Sequence, residues 1–186
     1  MKAVLMSIQP YWVFLIIAKK MGWNINQEKT IEVRKNYPKD GNWNKIAKIY
    51  CSKDKKSFAK IPNEYQPLME RLLGKVIGEF VCNKIEPDDL YSIKMYGDYW
   101  KDTTCLSQKE LIQYGDYKRL YFWHISNLVI YEKPKELSKF HKPCRDIKNC
   151  LNKAFRESGH SLDKCFDCGC EIKRPPQSWC FVEGVN

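Results

Sequence analysis

Residues 28–35, Glu-Lys-Thr-Ile-Glu-Val-Arg-Lys, form the segment that most restricts how this chain folds. Side chains alternate along a β-strand, so Ile31 and Val33 point to one side while Glu32 and Arg34 point to the other. The apolar side is typical of a strand that packs on a core. Two interpretations of the charged side remain open: a salt bridge on a solvated sheet face, or the polar floor of a pocket.

Composition indicates one folded domain with a positive field. The chain has 186 residues, of which 44% are hydrophobic, and this is enough apolar material to exclude wholesale disorder. Its formal net charge is +10, and the lysines are spread along the chain rather than held in one tail. A positive field favours nucleic acid, nucleotides or an acidic surface, although many lysine-rich proteins bind no anionic partner.

The longest early apolar run, residues 11–18, is too short to span a bilayer, which takes about 20 residues. No basic region precedes this run and no cleavage site follows it, so the sequence predicts no targeting signal, no membrane partner and a cytoplasmic location. Nine cysteines in such a protein argue against a disulfide framework.

Hydrophobic periodicity predicts an α+β fold with short strands and few helices. Pro10 suits the first turn of a helix, and Ser107 with Glu110 forms a capping box for a helix that runs to about Tyr114. The predicted strands cover residues 3–7, 29–35, 45–52, 74–85, 120–131 and 177–182, and the other predicted helices cover residues 10–21 and 64–73. This pattern is typical of a small curled sheet or β-barrel with helices at its mouth.

These segments resemble the ASCH family, a branch of the PUA-like β-barrels. The family signature is Gly-x-Lys-x-x-Glu-x-Arg, which Lys29, Glu32 and Arg34 match, while Gln27 stands where glycine is usual. Residues 5–10, 74–80, 123–126 and 131–134 resemble the family's other strands, and residues 174–180 resemble the ending of its phage-associated and Gram-positive members.

The resemblance implies a division of the chain into three parts. Residues 1–140 are expected to form a PUA-like barrel with flanking helices, and residues 173–186 are expected to supply its closing strand. Between them, residues 141–172 are expected to form a cysteine-rich insertion.

The resemblance also implies a barrel cleft used for RNA or a modified nucleoside. The family includes RNA-binding modules, a few ribonucleases and amidohydrolases that act on acetylated cytidine; in the amidohydrolases a catalytic threonine stands at the position of Glu32. The leading hypothesis is an RNA- or nucleotide-binding domain, with no organic cofactor. The alternatives are a hydrolase in the same cleft and a phage-derived protein-interaction module.

The chemistry of the signature residues supports either binding or catalysis. Arg34 offers a planar fork of donors for a phosphate or a base edge, and Glu32 accepts protons or hydrogen bonds. A nearby arginine and partial desolvation would lower the pKa of Lys29, which must curl at the strand start to reach the cleft. The candidate ligand-binding residues are Ser7, Lys29, Glu32, Arg34, Tyr114, Trp123 and His124, and the candidate catalytic residues are Lys29, Glu32 and Ser126. Core packing is the alternative role for Trp123, and a structural role is the alternative for His124.

A cluster of cysteines near the end of the chain predicts a structural zinc site. A Cys-x-x-Cys pair supplies two thiolates from one tight turn, and a polar, aperiodic segment gains folding free energy from a metal. The candidate ligands are Cys144, Cys150, Cys165 and Cys168, with Cys170 and His160 as substitutes. A reduced insertion with incidental thiols, or a disulfide formed after purification, is the alternative.

Overall fold

The computed structural model describes residues 2–39, 45–116, 118–143 and 172–183. These residues form an α+β fold, which confirms the predicted class. The strands are β1 (Lys2–Ile8), β2 (Ile31–Arg34), β3 (Lys45–Cys51), β4 (Lys75–Cys82), β5 (Ile85–Asp88), β6 (Leu120–His124), β7 (Ser126–Glu136) and β8 (Trp179–Glu183). The helices are α1 (Pro10–Ile17), α2 (Lys55–Phe58), α3 (Gln66–Glu70), α4 (Leu90–Tyr96), α5 (Lys101–Thr104) and α6 (Gln108–Gly115), with short 3-10 helices at Gly97–Trp100 and Leu137–Lys139.

The strands form two hydrogen-bonded sheets. The first has the order β7-β4-β3-β1-β8, in which β1 and β3 are parallel and the other neighbours are antiparallel. The second is antiparallel, with the order β2-β6-β5. Among the described strands no ladder joins the two sheets, so they do not form a closed barrel there. The main core draws on both sheets, including Met6 and Phe80 from the first and Trp123 from the second.

Helix α1 lies in this core because it is apolar on nearly all sides. Pro10 occupies its first turn, where the missing N–H is not needed, and Val13, Phe14 and Leu15 are all buried. The helix ends at Ile17, four residues earlier than predicted, and the chain turns at Gly22 with a positive φ of 71°.

Strand β2 is buried on both faces. Ile31 and Val33 pack against Ile93 of α4 and against Trp100, whose ring stacks on Phe122 with 4.1 Å between centroids. The stretch that supplies Ile93 and Trp100 carries no helix or strand among the elements predicted from the sequence. Because these helices cover the apolar side of β2, its charged side is left facing the space between the sheets.

Two long predicted strands each divide in two, because consecutive strands belong to different sheets. The segment predicted at 74–85 becomes β4 and β5, and the segment predicted at 120–131 becomes β6 and β7. The second division falls at Ile125, just before Asn127, whose φ is 47°. Hydrophobic periodicity is the same in the two halves, so it does not reveal the change of sheet.

No helix in the described ranges is long and apolar enough to cross a bilayer. Most of the cysteine-rich insertion, residues 144–171, lies outside the described residues, and the predicted domain boundaries stay predictions. On its two sides, Phe140 and Ile172 are both buried in one apolar cluster with Leu5 of β1, and the backbone N–H of Glu183 in β8 donates to the carbonyl of His141.

Candidate functional site

Glu32 lies between two cations at the charged side of β2. The Nη2 atom of Arg34 is 3.0 Å from Glu32 Oε1, and the Nζ atom of Lys29 is 3.5 Å from Glu32 Oε2. The side chains of Lys29, Glu32 and Arg34 are only 2, 7 and 8% exposed. Buried charges are tolerated when they are paired, and these three, which we call the charged trio, pair with one another.

Lys29 reaches Glu32 from the loop before β2. Its backbone N–H donates to the carbonyl of Leu15 at 3.2 Å, and its Nζ atom donates to the carbonyl of Thr104 at 2.9 Å. The same Nζ atom lies 5.2 Å from the centre of the Trp12 ring. Burial lowers the pKa of Lys29 by removing water from the ammonium, and the carboxylate of Glu32 opposes this shift.

Arg34 connects the two sheets. Besides its contact with Glu32, its Nη2 atom donates to the carbonyl of Ser7 at 2.7 Å, and Ser7 belongs to β1 of the first sheet. A guanidinium held by a carboxylate and a carbonyl keeps a fixed orientation.

The charged trio lines a cavity of about 660 Å³ that is open to solvent. This volume lies within the range of roughly 300–1,000 Å³ that is usual for sites that bind small molecules. Its walls come from α1, from α6 and from the segment that precedes β8; they include Trp12, Tyr114 and Pro175. Further lining residues, Ser7, Gln9, Ser52 and Asp54, lie at or just after the carboxyl ends of β1 and β3.

Three residues of the cavity lining carry buried polar atoms without a hydrogen bond to the described residues. They are Glu32 through Oε2, Arg34 through Nε and Ser52 through Oγ. Buried polar groups in folded proteins are nearly always paired, so each such group calls for an explanation. An acceptor, a donor and a hydroxyl beside one cavity are the groups that a polar ligand would pair.

Charge is distributed unevenly between the cavity and its surroundings. The charged lining residues are two cations, Lys29 and Arg34, and three carboxylates, Glu32, Asp54 and Glu110. Exposed basic residues lie instead within two positions of lining residues in the sequence, and they include Lys35, Lys55, Lys109, Lys173 and Arg174. The cavity itself therefore does not favour a polyanion, whereas the segments that flank its lining residues in the sequence carry several exposed cations.

Comparison with known proteins gives matches only among solved structures. No protein-family model matches the chain, and no curated protein matches it. A serine-to-alanine mutant of the ZmASCH protein from Zymomonas mobilis matches at 16% identity, with a TM-score of 0.52, over 97% of this chain and 88% of that chain. The chain has the ASCH fold. This confirms the resemblance at the level of fold, and the phage-associated subtype stays a prediction.

Two further structures of the Zymomonas mobilis protein also match over nearly the whole chain. A tyrosine-to-phenylalanine mutant shares 15% identity over 98% of this chain and 91% of that chain, with a TM-score of 0.49. The structure described as ASCH itself shares 16% identity over 97% and 87%, with a TM-score of 0.46.

Within this ASCH fold, five of the predicted site residues line the same cavity: Ser7, Lys29, Glu32, Arg34 and Tyr114. Tyr114 of α6 is 39% exposed, and the Nζ atom of Lys35 lies 5.2 Å from the centre of its ring. These residues come from three separate segments of the chain, and the fold brings them together.

Three predicted residues do not line the cavity. Trp123 pairs with Glu32 across the ladder and shares its face, but its side chain is fully buried in the core and offers no free ring surface. His124 points the other way and its ring contacts Glu86 of β5. Ser126 donates its hydroxyl to the carbonyl of Val81 at 2.7 Å. His124 and Ser126 thus have partners outside the cavity, whereas the buried Nε1 atom of Trp123 has no hydrogen-bond partner in the described residues.

Several lining residues were not predicted from the sequence, notably Trp12, Gln9, Ser52 and Asp54. Trp12 was assigned to an apolar helix, and nothing in its sequence context separates it from its buried neighbours. Ser52 and Asp54 join the site because β3 runs parallel to β1, so the carboxyl ends of both strands lie side by side. Which strands pair is not visible in local sequence patterns.

The predicted zinc ligands all lie outside the described residues. Within the described ranges, no group of three or more histidine, cysteine, aspartate or glutamate side chains could hold a metal ion. The zinc site therefore stays a prediction.

Proposed function

We propose that the chain binds single-stranded RNA, with one base entering the cavity and the phosphates lying on its basic surroundings. The observation that carries this proposal is that two buried atoms of the cavity lining, Glu32 Oε2 and Arg34 Nε, make no hydrogen bond to the described residues, and Glu32 Oε2 has only the longer 3.5 Å ion pair with Lys29. A carboxylate oxygen accepts from an exocyclic amine, and a guanidinium donates to a ring nitrogen or carbonyl of a base. Unstacked bases of single-stranded RNA are commonly recognised in this way.

The charge distribution supports the same arrangement. A cavity that holds more carboxylates than cations repels phosphate and accepts a neutral heterocycle. The exposed lysines and Arg174 near it in sequence can neutralise phosphates in water. The half-exposed ring of Tyr114 offers a surface for base stacking, worth roughly 1–3 kcal/mol.

The proposal predicts salt-sensitive binding that also needs bases. Fluorescence anisotropy with a labelled RNA of about ten nucleotides should give an affinity that falls with salt, with a slope of about −0.7 for each phosphate contact. Inorganic polyphosphate with the same number of phosphates should compete at least tenfold more weakly than unlabelled RNA. Equal competition by polyphosphate would show that the protein binds charge alone, and a lack of salt-sensitive RNA binding would reject the proposal.

A hydrolase in the same cavity is the second candidate, and the lowered pKa of Lys29 favours it. A neutral amine beside a bound base can act as a base or a nucleophile, a role that contributes about 10²–10⁴-fold to a rate. Its substrate would be RNA or an acetylated cytidine.

This candidate predicts turnover that depends on Lys29. Labelled RNA and acetylated cytidine should be converted by the purified protein, and Lys29→Met should slow the reaction at least a hundredfold. Lys48→Met is the matched control, because Lys48 is also buried and paired with a glutamate, Glu79, but does not line the cavity. No turnover, or turnover that survives Lys29→Met, excludes the hydrolase.

A further inference from the structure

The cavity has a second polar region besides the charged trio. Ser7, Gln9, Ser52 and Asp54, which we call the strand-end group, lie where the parallel strands β1 and β3 end. The backbone N–H of Ser52 donates to the carbonyl of Ile8 at 2.8 Å, which holds the two ends together. Ligands of sheets with parallel strands commonly bind at the carboxyl ends of those strands.

This group adjoins the charged trio. The carbonyl of Ser7 accepts the hydrogen bond from Arg34 Nη2 at 2.7 Å, so Ser7 contributes to both regions. A ligand whose base reaches Glu32 and Arg34 would therefore place its next chemical group, the sugar, close to the strand-end group.

The donors and acceptors of the strand-end group match hydroxyls rather than phosphate. Asp54 Oδ1 accepts from the backbone N–H of Ser57 at 2.9 Å, and Oδ2 accepts from Gln9 Nε2 at 3.3 Å. Each carboxylate oxygen has a second lone pair that can still accept. The buried hydroxyl of Ser52 has no hydrogen-bond partner in the described residues. A carboxylate repels a phosphate and accepts from a hydroxyl.

The neighbouring lysine does not alter this chemistry. Lys53 lies between Ser52 and Asp54 in the sequence, but its side chain packs over Gly74, where a Cβ atom would come within 2.3 Å of its Cε atom. Its ammonium is thus held on the side of Gly74.

We infer that the strand-end group is a ribose subsite, in which Asp54 and Ser52 pair with the sugar hydroxyls and select RNA over DNA. This inference rests on the proposed RNA binding and adds the sugar to it. An aspartate that accepts from a ribose 2′-hydroxyl is a recurring device in nucleotide-binding sites, and this hydroxyl is the group that distinguishes RNA from DNA.

Asp54 also has a structural role, which the choice of variant must preserve. It caps the N-terminus of α2 through its bond with Ser57, and asparagine caps helices as well as aspartate does. Asp54→Asn therefore keeps the cap and removes the charged acceptor. Asp89→Asn is the matched control, because Asp89 Oδ1 accepts from the backbone N–H of Ser92 at the same 2.9 Å and Asp89 does not line the cavity.

The test compares an RNA with a DNA that carries the same bases, deoxyuridine replacing thymidine. The wild-type protein should bind the RNA at least tenfold more tightly, and Asp54→Asn should reduce this ratio below threefold, chiefly by weakening RNA binding. Ser52→Ala should reduce the ratio in the same direction without a folding cost, because it removes a buried hydroxyl that has no partner. Asp89→Asn should keep the wild-type ratio.

The outcomes separate the two proposals. Tight RNA binding with an equal affinity for DNA overturns the ribose subsite and leaves the proposed function standing. An RNA preference that survives both Asp54→Asn and Ser52→Ala also overturns the ribose subsite and leaves the proposed function standing. Failure of the wild-type protein to bind RNA at all overturns both.

Discussion

Arg34→Ala is expected to weaken RNA binding at least tenfold while the fold is kept. The variant loses a fork of charged donors whose Nε atom has no partner in the described residues, and a hydrogen bond to a charged group is worth about 1.5–3 kcal/mol. A tenfold change corresponds to about 1.4 kcal/mol, so the loss of one such bond is enough. The fold is expected to persist because Lys29 and Glu32 remain as an ion pair with no net charge.

Two further variants serve as controls for this measurement. Arg34→Lys keeps the charge and loses the planar fork of donors. If the geometry of the guanidinium matters, the RNA affinity of Arg34→Lys should lie closer to that of Arg34→Ala than to that of the wild type. Arg71→Ala removes an exposed arginine that does not line the cavity, and it should leave the affinity within about twofold. Far-ultraviolet circular dichroism checks the fold of each variant, and an unchanged affinity in Arg34→Ala contradicts the proposed function.

Two members of the charged trio, Glu32 and Arg34, were accessible from a single short-range rule, whereas Lys29, which lies before β2, was placed with them only through the resemblance. Alternation along β2 separates Glu32 and Arg34 from Ile31 and Val33, and the structure has this separation. The rule does not state what lies above either face. The apolar face is covered by helices between β5 and α6, a stretch with exposed tyrosines that carries little helical periodicity.

The remaining walls of the cavity depend on long-range pairing, which local patterns do not encode. Asp54 reaches the site through the parallel pairing of β1 and β3, and Trp12 reaches it through the rotation of α1 about its axis. The same limit explains why Trp123 and His124 were predicted at the cleft, although neither lines the cavity. Their strand was predicted, but the side that faces the core was fixed by pairing with β2, which buries Trp123 opposite Glu32.

Glu32→Gln is expected to lower the free energy of unfolding by about 3–5 kcal/mol at pH 7, the usual cost of removing one partner from a buried ion pair. It leaves the buried cations Lys29 and Arg34 side by side without their shared carboxylate. Urea denaturation followed by tryptophan fluorescence measures the loss. Glu136→Gln is the matched control: Glu136 pairs with Lys75 but is 59% exposed, so this variant should lose at most about 1 kcal/mol.

The double variant Lys29→Met/Glu32→Gln should recover about half of that loss or more, because it removes one unpaired cation and buries an apolar side chain of similar length. This recovery distinguishes a charge effect from a packing effect at Glu32. If the double variant is less stable than Glu32→Gln, the Lys29–Glu32 pair is not what stabilises this strand.

The pH dependence of the single variant follows from Lys29. Glu32 opposes the lowering of the Lys29 pKa by burial, so its removal lets that pKa fall further below the unfolded value of about 10.4. Between the two values the unfolded chain binds more protons, and the free energy of unfolding therefore rises with pH. Because the Lys29 pKa is lowered less in the wild type, the deficit of Glu32→Gln relative to the wild type should shrink as pH rises from the folded-state Lys29 pKa of the variant to the higher folded-state Lys29 pKa of the wild type. The Lys29→Met/Glu32→Gln double variant should show no such recovery, since it lacks the amine that titrates, and an equal recovery in both variants would assign the effect to some other group.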